Sequence, residues 1–134
     1  MNIEPLVREK VHELRLPLNV HVDVKHNPDI HPYSENPKDS YYVAIDLVRE
    51  EYDFCSYINF WYNNSEKVIE HVSISLGNEI RNRGFARGLV ESMETIGKDL
   101  GCKKVILNWV TNPGFWRHLG YEIYGRTGEK SLLN

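Results

Sequence analysis

The chain has 134 residues, of which 41% are hydrophobic, 26% charged and 11% aromatic; this suits a packed globular domain and excludes collagen-like, coiled-coil and disordered classes. A formal net charge of −3 supplies no basic footprint for nucleic acid. No apolar run approaches the roughly 20 residues of a membrane helix, and residues 1–10 mix charge with apolar side chains, unlike a secretion signal.

In residues 3–15, Leu6, Val7, Val11 and Leu14 recur at helical spacing, with Pro5 acceptable in a first turn. Leu18, Val20, Val22 and Val24 then alternate with polar residues, the period of a strand with one buried face. Residues 26–40 hold three prolines among Asn, Asp and Ser and read as a loop, the one candidate for a mobile segment. Three strand-like runs follow at 41–48, 54–62 and 67–76, joined by short polar turns that favour an antiparallel meander. The aromatic run 57–62 reads chiefly as packing of a central strand; an acceptor wall or the edge of a homodimer is the alternative.

The period then changes. Phe85, Leu89, Met93, Ile96 and Leu100 are spaced as a helix between Gly84 and Leu100, and Gly101 stands at the usual stop position. A strand at 104–110, a turn at Pro113 and Gly114, a short helix at 115–119, a strand at 120–124 and a weak strand near 130–133 complete the order. This sequence of elements predicts an α+β or α/β layered domain. Cys55 and Cys102 are far apart and form no metal-type pair, so both are expected as free buried thiols in a reducing compartment, the cytoplasm. His26 and His31 lack the spacing of a helix face and an obvious third ligand, so no metal site is expected.

The junction Gly77-Asn78-Glu79-Ile80-Arg81-Asn82-Arg83-Gly84-Phe85-Ala86-Arg87 leads from a strand directly into the helix. A small-residue turn there presents unpaired N–H groups, the helix dipole adds partial positive charge, and Arg81, Arg83 and Arg87 add full charges. Such a junction suits a pyrophosphate, with Gly84 leaving room for close approach. The alternative is a charged turn that only caps the helix.

Arg81-Asn82-Arg83-Gly84-Phe85-Ala86 resembles the Arg/Gln-x-x-Gly-x-Gly/Ala signature of the GNAT superfamily of acyl-CoA-dependent N-acetyltransferases. Downstream, Asn112-Pro113-Gly114-Phe115-Trp116-Arg117-His118-Leu119-Gly120-Tyr121 is similar to that family's late Asn … Phe-Tyr-x-x-x-Gly-Phe segment, one helix and one strand further on. The resemblance covers roughly residues 41–124 of a single domain spanning 1–134, and residues 1–40 depart from the family's two-helix start.

The resemblance implies a mixed, mostly antiparallel sheet with helices on both faces and a splayed parallel pair of strands, 67–76 and 104–110, that binds acetyl-CoA. Backbone groups near Val72, Ile74 and Leu76 would take the pantetheine arm. The loop amides of Arg81, Asn82, Arg83, Gly84, Phe85, Ala86 and Arg87 would take the pyrophosphate. Asn112 would hold the far edge, and Phe115 would pack near the thiol end.

Acetyl transfer to a primary amine also needs a base for the amine proton and a donor for the thiolate. Trp116 stands where the family often places a donor Tyr, and indole N–H donates a hydrogen bond without giving up its proton. Tyr121, Tyr124 and His118 are candidate substitutes. Glu70 lies eleven residues before Arg81, the spacing of a general-base glutamate in the histone-acetyltransferase-like branch. Strict alternation would set it on one apolar face with Val68, Val72 and Ile74, where desolvation raises a carboxyl pKa; a solvated or arginine-paired Glu70 is the alternative. The acceptor remains an unidentified amine, with a non-catalytic acyl-CoA-binding or partner-binding protein as the second reading.

Overall fold

The structure, a computed structural model, describes residues 2–13, 15, 19–27, 39–49, 52–76 and 84–133. Its elements are α1 (Glu4–Glu13), β1 (Asn19–His26), β2 (Ser40–Arg49), β3 (Tyr52–Asn63), β4 (Val68–Ser75), α2 (Phe85–Asp99), β5 (Lys104–Leu107), α3 (Pro113–His118), β6 (Glu122–Tyr124) and β7 (Thr127–Ser131). The seven strands form one sheet in the order β1-β2-β3-β4-β5-β7-β6. Every neighbouring pair is antiparallel except β4 and β5, which are parallel.

The two faces follow from the period of two along β2 and β3. Tyr41, Val43, Ile45 and Leu47 stand opposite Tyr62, Phe60, Ile58 and Ser56, and all eight are buried. Val22 on β1 pairs with Ile45 and joins the same core. Of the intervening residues on the other face, Tyr42, Asp46, Tyr57 and Asn59 are half-buried while Ala44 and Trp61 are buried, so the aromatic run packs a central strand on both faces.

The two long helices cover the apolar face. Leu89, Val90, Met93 and Ile96 make a fully buried stripe on α2, and each such side chain contributes roughly 1.5–3 kcal/mol through burial. Val7 and Val11 add α1 to the same cluster, and Lys10 of α1 pairs with Asp99 of α2 at 3.4 Å. At the end of α2, Gly101 adopts φ +80°, which lets its N–H reach Lys98 O at 3.0 Å and the Cys102 N–H reach Gly97 O at 2.8 Å. That double bond stops the helix where the sequence places the stop.

Three expectations need correction in the second half. β5 ends at Leu107, not at residue 110, because the chain turns away there and the Val110 N–H bonds Arg126 O at 2.7 Å. Pro113 and Gly114 are not a separate turn: Asn112 caps α3 and Pro113 occupies its first turn, where a missing N–H costs nothing. The weak strand near 130–133 is the five-residue β7, inserted between β5 and β6 with Gly128 paired to both Leu107 and Ile123. Cys102 is a buried free thiol, while the side chain of Cys55 and most of the 26–40 loop lie outside the described residues. Among the described residues no helix is long and apolar enough to cross a membrane.

Candidate active site

β4 and β5 share only two ladder pairs, Val68 with Lys104 and Ile69 with Val105. Beyond them Ile106 and Leu107 pair only with β7, while β4 runs on to Ser75. The strands therefore part, and the parting is built into β4. Its pairing with β3 steps from Trp61–Glu70 to Asn59–Ser73, three residues against two, which is a β-bulge. Within the bulge His71 has φ +52°, a left-handed conformation that costs a non-glycine residue roughly 1 kcal/mol or more. Its N–H donates to Asn108 Oδ1 at 2.8 Å, so a side chain at the end of β5 bridges the mouth of the opening.

The bulge resets the alternation and with it the face of Glu70. Glu70 stands opposite Trp61 on the face away from α2, whereas Ile74 stands opposite Ile58 on the core face. The single apolar face expected for Val68, Glu70, Val72 and Ile74 is thus divided in two. Glu70 is half-buried, and Asn63 Nδ2 donates to its Oε1 at 3.5 Å. It sits one residue before the bulge and so borders the opening. Val72, Ile74 and Leu76 follow along β4, partly buried against the core.

At the far end of this strand the chain enters α2. Arg81, Asn82 and Arg83 lie outside the described residues. Gly84 has φ +78°, and a Cβ built on it would meet nothing within 4 Å, so the space beside it is open. Among the described residues no side chain caps the helix, and its first turn holds no acidic residue. The first intrahelical bond is Gly88 N–H to Gly84 O at 3.0 Å, which leaves the N–H groups of Phe85, Ala86 and Arg87 without helical acceptors. Donors and dipole together suit a phosphate there. Phe85 packs partly against the core, and Ala86 is half-buried. Arg87 turns along the helix to Glu91, with Nε at 2.9 Å from Oε1 in an exposed i,i+4 pair weak enough to exchange for a phosphate.

The late motif is placed differently from expectation. Asn112 Oδ1 accepts the Phe115 N–H at 3.4 Å and so is engaged in capping α3. Phe115 is partly buried and meets Trp116 edge-on, with centroids 5.2 Å apart. Trp116 is only 6% exposed and packs edge-on against Tyr121 at 5.0 Å. Tyr121 is buried and donates its hydroxyl to Glu94 Oε2 at 2.8 Å. Burial, then the Glu94 carboxylate, pushes the Tyr121 pKa far above the usual phenol range. Lys130 Nζ completes the network, 3.1 Å from Glu94 Oε1, donating to Leu119 O at 2.9 Å and lying over the Tyr121 ring. Trp116 and Tyr121, expected at the proton-transfer step, take part in the packing that fastens β7 to α2.

The residues missed were Asn108, the His71 backbone and the pair Glu94 and Lys130. Glu94 left a signal: it lies four residues after Val90, a charge on the buried stripe. Asn108 left only its position at the end of the apolar run 105–107. Among the described residues no group of three His, Cys, Asp or Glu side chains is arranged to hold a metal.

A mixed sheet whose one parallel pair parts beside a glycine-led, uncapped helix N-terminus has the layout of an acetyltransferase fold. The chain belongs to the acetyltransferase (GNAT) family, whose sequence profile matches residues 8–121. Tetrahymena GCN5 shares the fold with a TM-score of 0.56 at 11% identity, over 69% of each chain. Nourseothricin acetyltransferase does so with a TM-score of 0.52 at 13% identity, over 87% of this chain and 86% of that one. A variant of spermidine N-acetyltransferase SpeG from Vibrio cholerae gives a TM-score of 0.51 at 14% identity, over 73% of this chain and 66% of its own. At these identities the likeness is one of fold. No curated protein matches the chain in sequence.

Proposed function

We propose that the protein is an acetyl-CoA-dependent N-acetyltransferase that moves an acetyl group to a primary amine, of a small molecule or of a protein lysine or N-terminus, by direct attack in a ternary complex. The observation that carries this reading is the opening between β4 and β5, running toward an uncapped helix N-terminus behind Gly84. The free edge of β4 at Val72, Ile74 and Leu76 takes the pantetheine as an added strand. The N–H groups of Gly84, Phe85, Ala86 and Arg87, with Arg81, Asn82 and Arg83 before them, take the pyrophosphate. Asn112 holds the far edge of the pantetheine, and Phe115 packs near the thiol end.

Glu70 sits beside the opening and accepts the amine proton, directly or through water. The amine nitrogen attacks the thioester carbonyl carbon, the C–S bond breaks, and the thiolate leaves to take its proton from solvent. The family membership and the free thiol of Cys102 support a cytoplasmic setting.

A second reading, a non-catalytic acyl-CoA-binding protein, is favoured by one observation. Neither Trp116 nor Tyr121 is free to protonate the leaving thiolate, since the first is buried and the second donates to Glu94. Calorimetric titration with acetyl-CoA and with CoA, followed by a thiol-release assay over a panel of amines, separates the readings. Micromolar binding with turnover supports the enzyme; binding without turnover on any amine supports the second reading. Absence of binding at millimolar ligand overturns both.

A further inference from the structure

Away from the β4–β5 opening, α1 and β1 enclose a half-open cleft of about 440 Å³, lined by Arg8, Val11, His12, Arg15, Asn19, Val20 and Val22. This volume lies in the range of small-molecule sites, roughly 300–1,000 Å³. Its walls are chemically divided. Val11 and Val22 are buried and Val20 half-buried, giving an apolar floor, while Arg8, His12 and Arg15 stand exposed at the rim. Among the described residues that line it none is acidic, although the chain as a whole carries a net charge of −3.

Two features of the rim go beyond a solvated basic surface. Arg8 is anchored: its Nη2 donates to Val22 O at 3.1 Å and its Nε lies 3.4 Å from Glu4 Oε2. A guanidinium carries five N–H donors, so others stay available while the group is held at the floor strand. Arg15 has φ +50° just beyond α1, a conformation that favours glycine and that an arginine adopts at a cost.

We infer that this cleft binds a medium-chain monocarboxylate, with the carboxylate at Arg8 and Arg15 and the aliphatic tail on Val11, Val20 and Val22. A guanidinium fork matches a carboxylate in geometry and charge, and the apolar floor favours a ligand that carries an aliphatic tail. The inference is independent of acetyl-CoA binding at the β4–β5 opening.

Octanoate titrated into the protein, followed by the amide resonances of Val11, Val20 and Val22, should give saturable shifts. Octylamine and acetate should not: the first reverses the head charge and the second lacks the tail. Arg15→Gly should weaken octanoate binding about tenfold, the loss of one charged hydrogen bond, while raising thermal stability by relieving the left-handed backbone. Arg15→Lys should keep most of the affinity. Three outcomes overturn the inference: equal binding of octylamine, unchanged octanoate affinity in Arg15→Gly, or shifts that follow protein concentration instead of octanoate. The last would assign the cleft to a second copy of the chain. Calorimetry with acetyl-CoA on the same variants should be unaffected.

Discussion

Replacing Lys130 with methionine strips Glu94 of its cation while leaving the carboxylate in a site only 8% exposed. Removing one partner of a buried pair costs roughly 3–5 kcal/mol, and the Lys130 side chain is 30% exposed, which points to the lower end, about 3 kcal/mol. For a chain of this length that corresponds to a fall in Tm of about 10 °C. Tyr121→Phe removes a hydroxyl that donates to the same charged group, a loss of about 2 kcal/mol, or about 7 °C. Replacing the three side-chain partners together, as Glu94→Leu with Tyr121→Phe and Lys130→Met, leaves only the Leu119 carbonyl without its donor and should recover most of the lost stability. Urea melts followed by tryptophan fluorescence at constant m-value measure each step. A loss below about 1 kcal/mol for Lys130→Met would refute the network's assignment as the fastening of β7 to α2. So would a Tyr121→Phe variant of unchanged stability that had lost acetyl transfer, since that result belongs to a residue in the chemistry.

Burial pushes the Cys102 thiol from 9.0 up to about 11. The folded state thus favours the protonated thiol, and that contribution is present below pH 9 and lost as pH rises toward 11, so melts of the parent and of Cys102→Ala should converge across that window. At pH 8 the same thiol should react with an aromatic disulfide only as fast as the protein opens. Asn108→Leu leaves the His71 N–H without its side-chain acceptor and should cost about 1–2 kcal/mol; it should also raise KM for acetyl-CoA, because the mouth of the opening loses its bridge. Glu70→Gln should leave acetyl-CoA affinity in calorimetry within about twofold while lowering kcat by about 10²-fold or more and flattening the acid limb of the pH–rate profile. Unchanged turnover would remove Glu70 from the mechanism.

What could be read from the sequence was whatever a local period encodes. The stripe Leu89, Met93, Ile96 and the stop at Gly101 fixed α2 to within a residue, and alternation on β1 put Val20, Val22 and Val24 on the core side. The glycine signature announced the helix entry, because the need for open space and a positive φ at Gly84 is a property of one residue.

The site's details depended on pairings between distant segments. Alternation carried past His71 misplaced Glu70, since a bulge is a mismatch between two strands and neither strand shows it alone. Within the late motif Trp116 and Tyr121 were the candidates for proton transfer, yet the partner that engages the Tyr121 hydroxyl lies 27 residues away on α2. Likewise β7 appeared weak because its apolar content is low; it holds its place through backbone pairing on both sides.

That double pairing of β7 bears on how the protein is made. β1 to β4 pair in the order in which they emerge, so this half of the sheet can assemble as the chain is synthesised. The other half cannot. β5 has only two ladder pairs with β4, and β6 pairs with nothing but β7, so both wait for residues 127–131. Until Ser131 has cleared the ribosome, the Glu94 carboxylate on α2 also lacks its cation, and the apolar stripe around it is incompletely covered. A pause in translation before that point would hold the nascent chain with half a sheet formed and its parallel opening not yet defined, a state suited to capture by a chaperone.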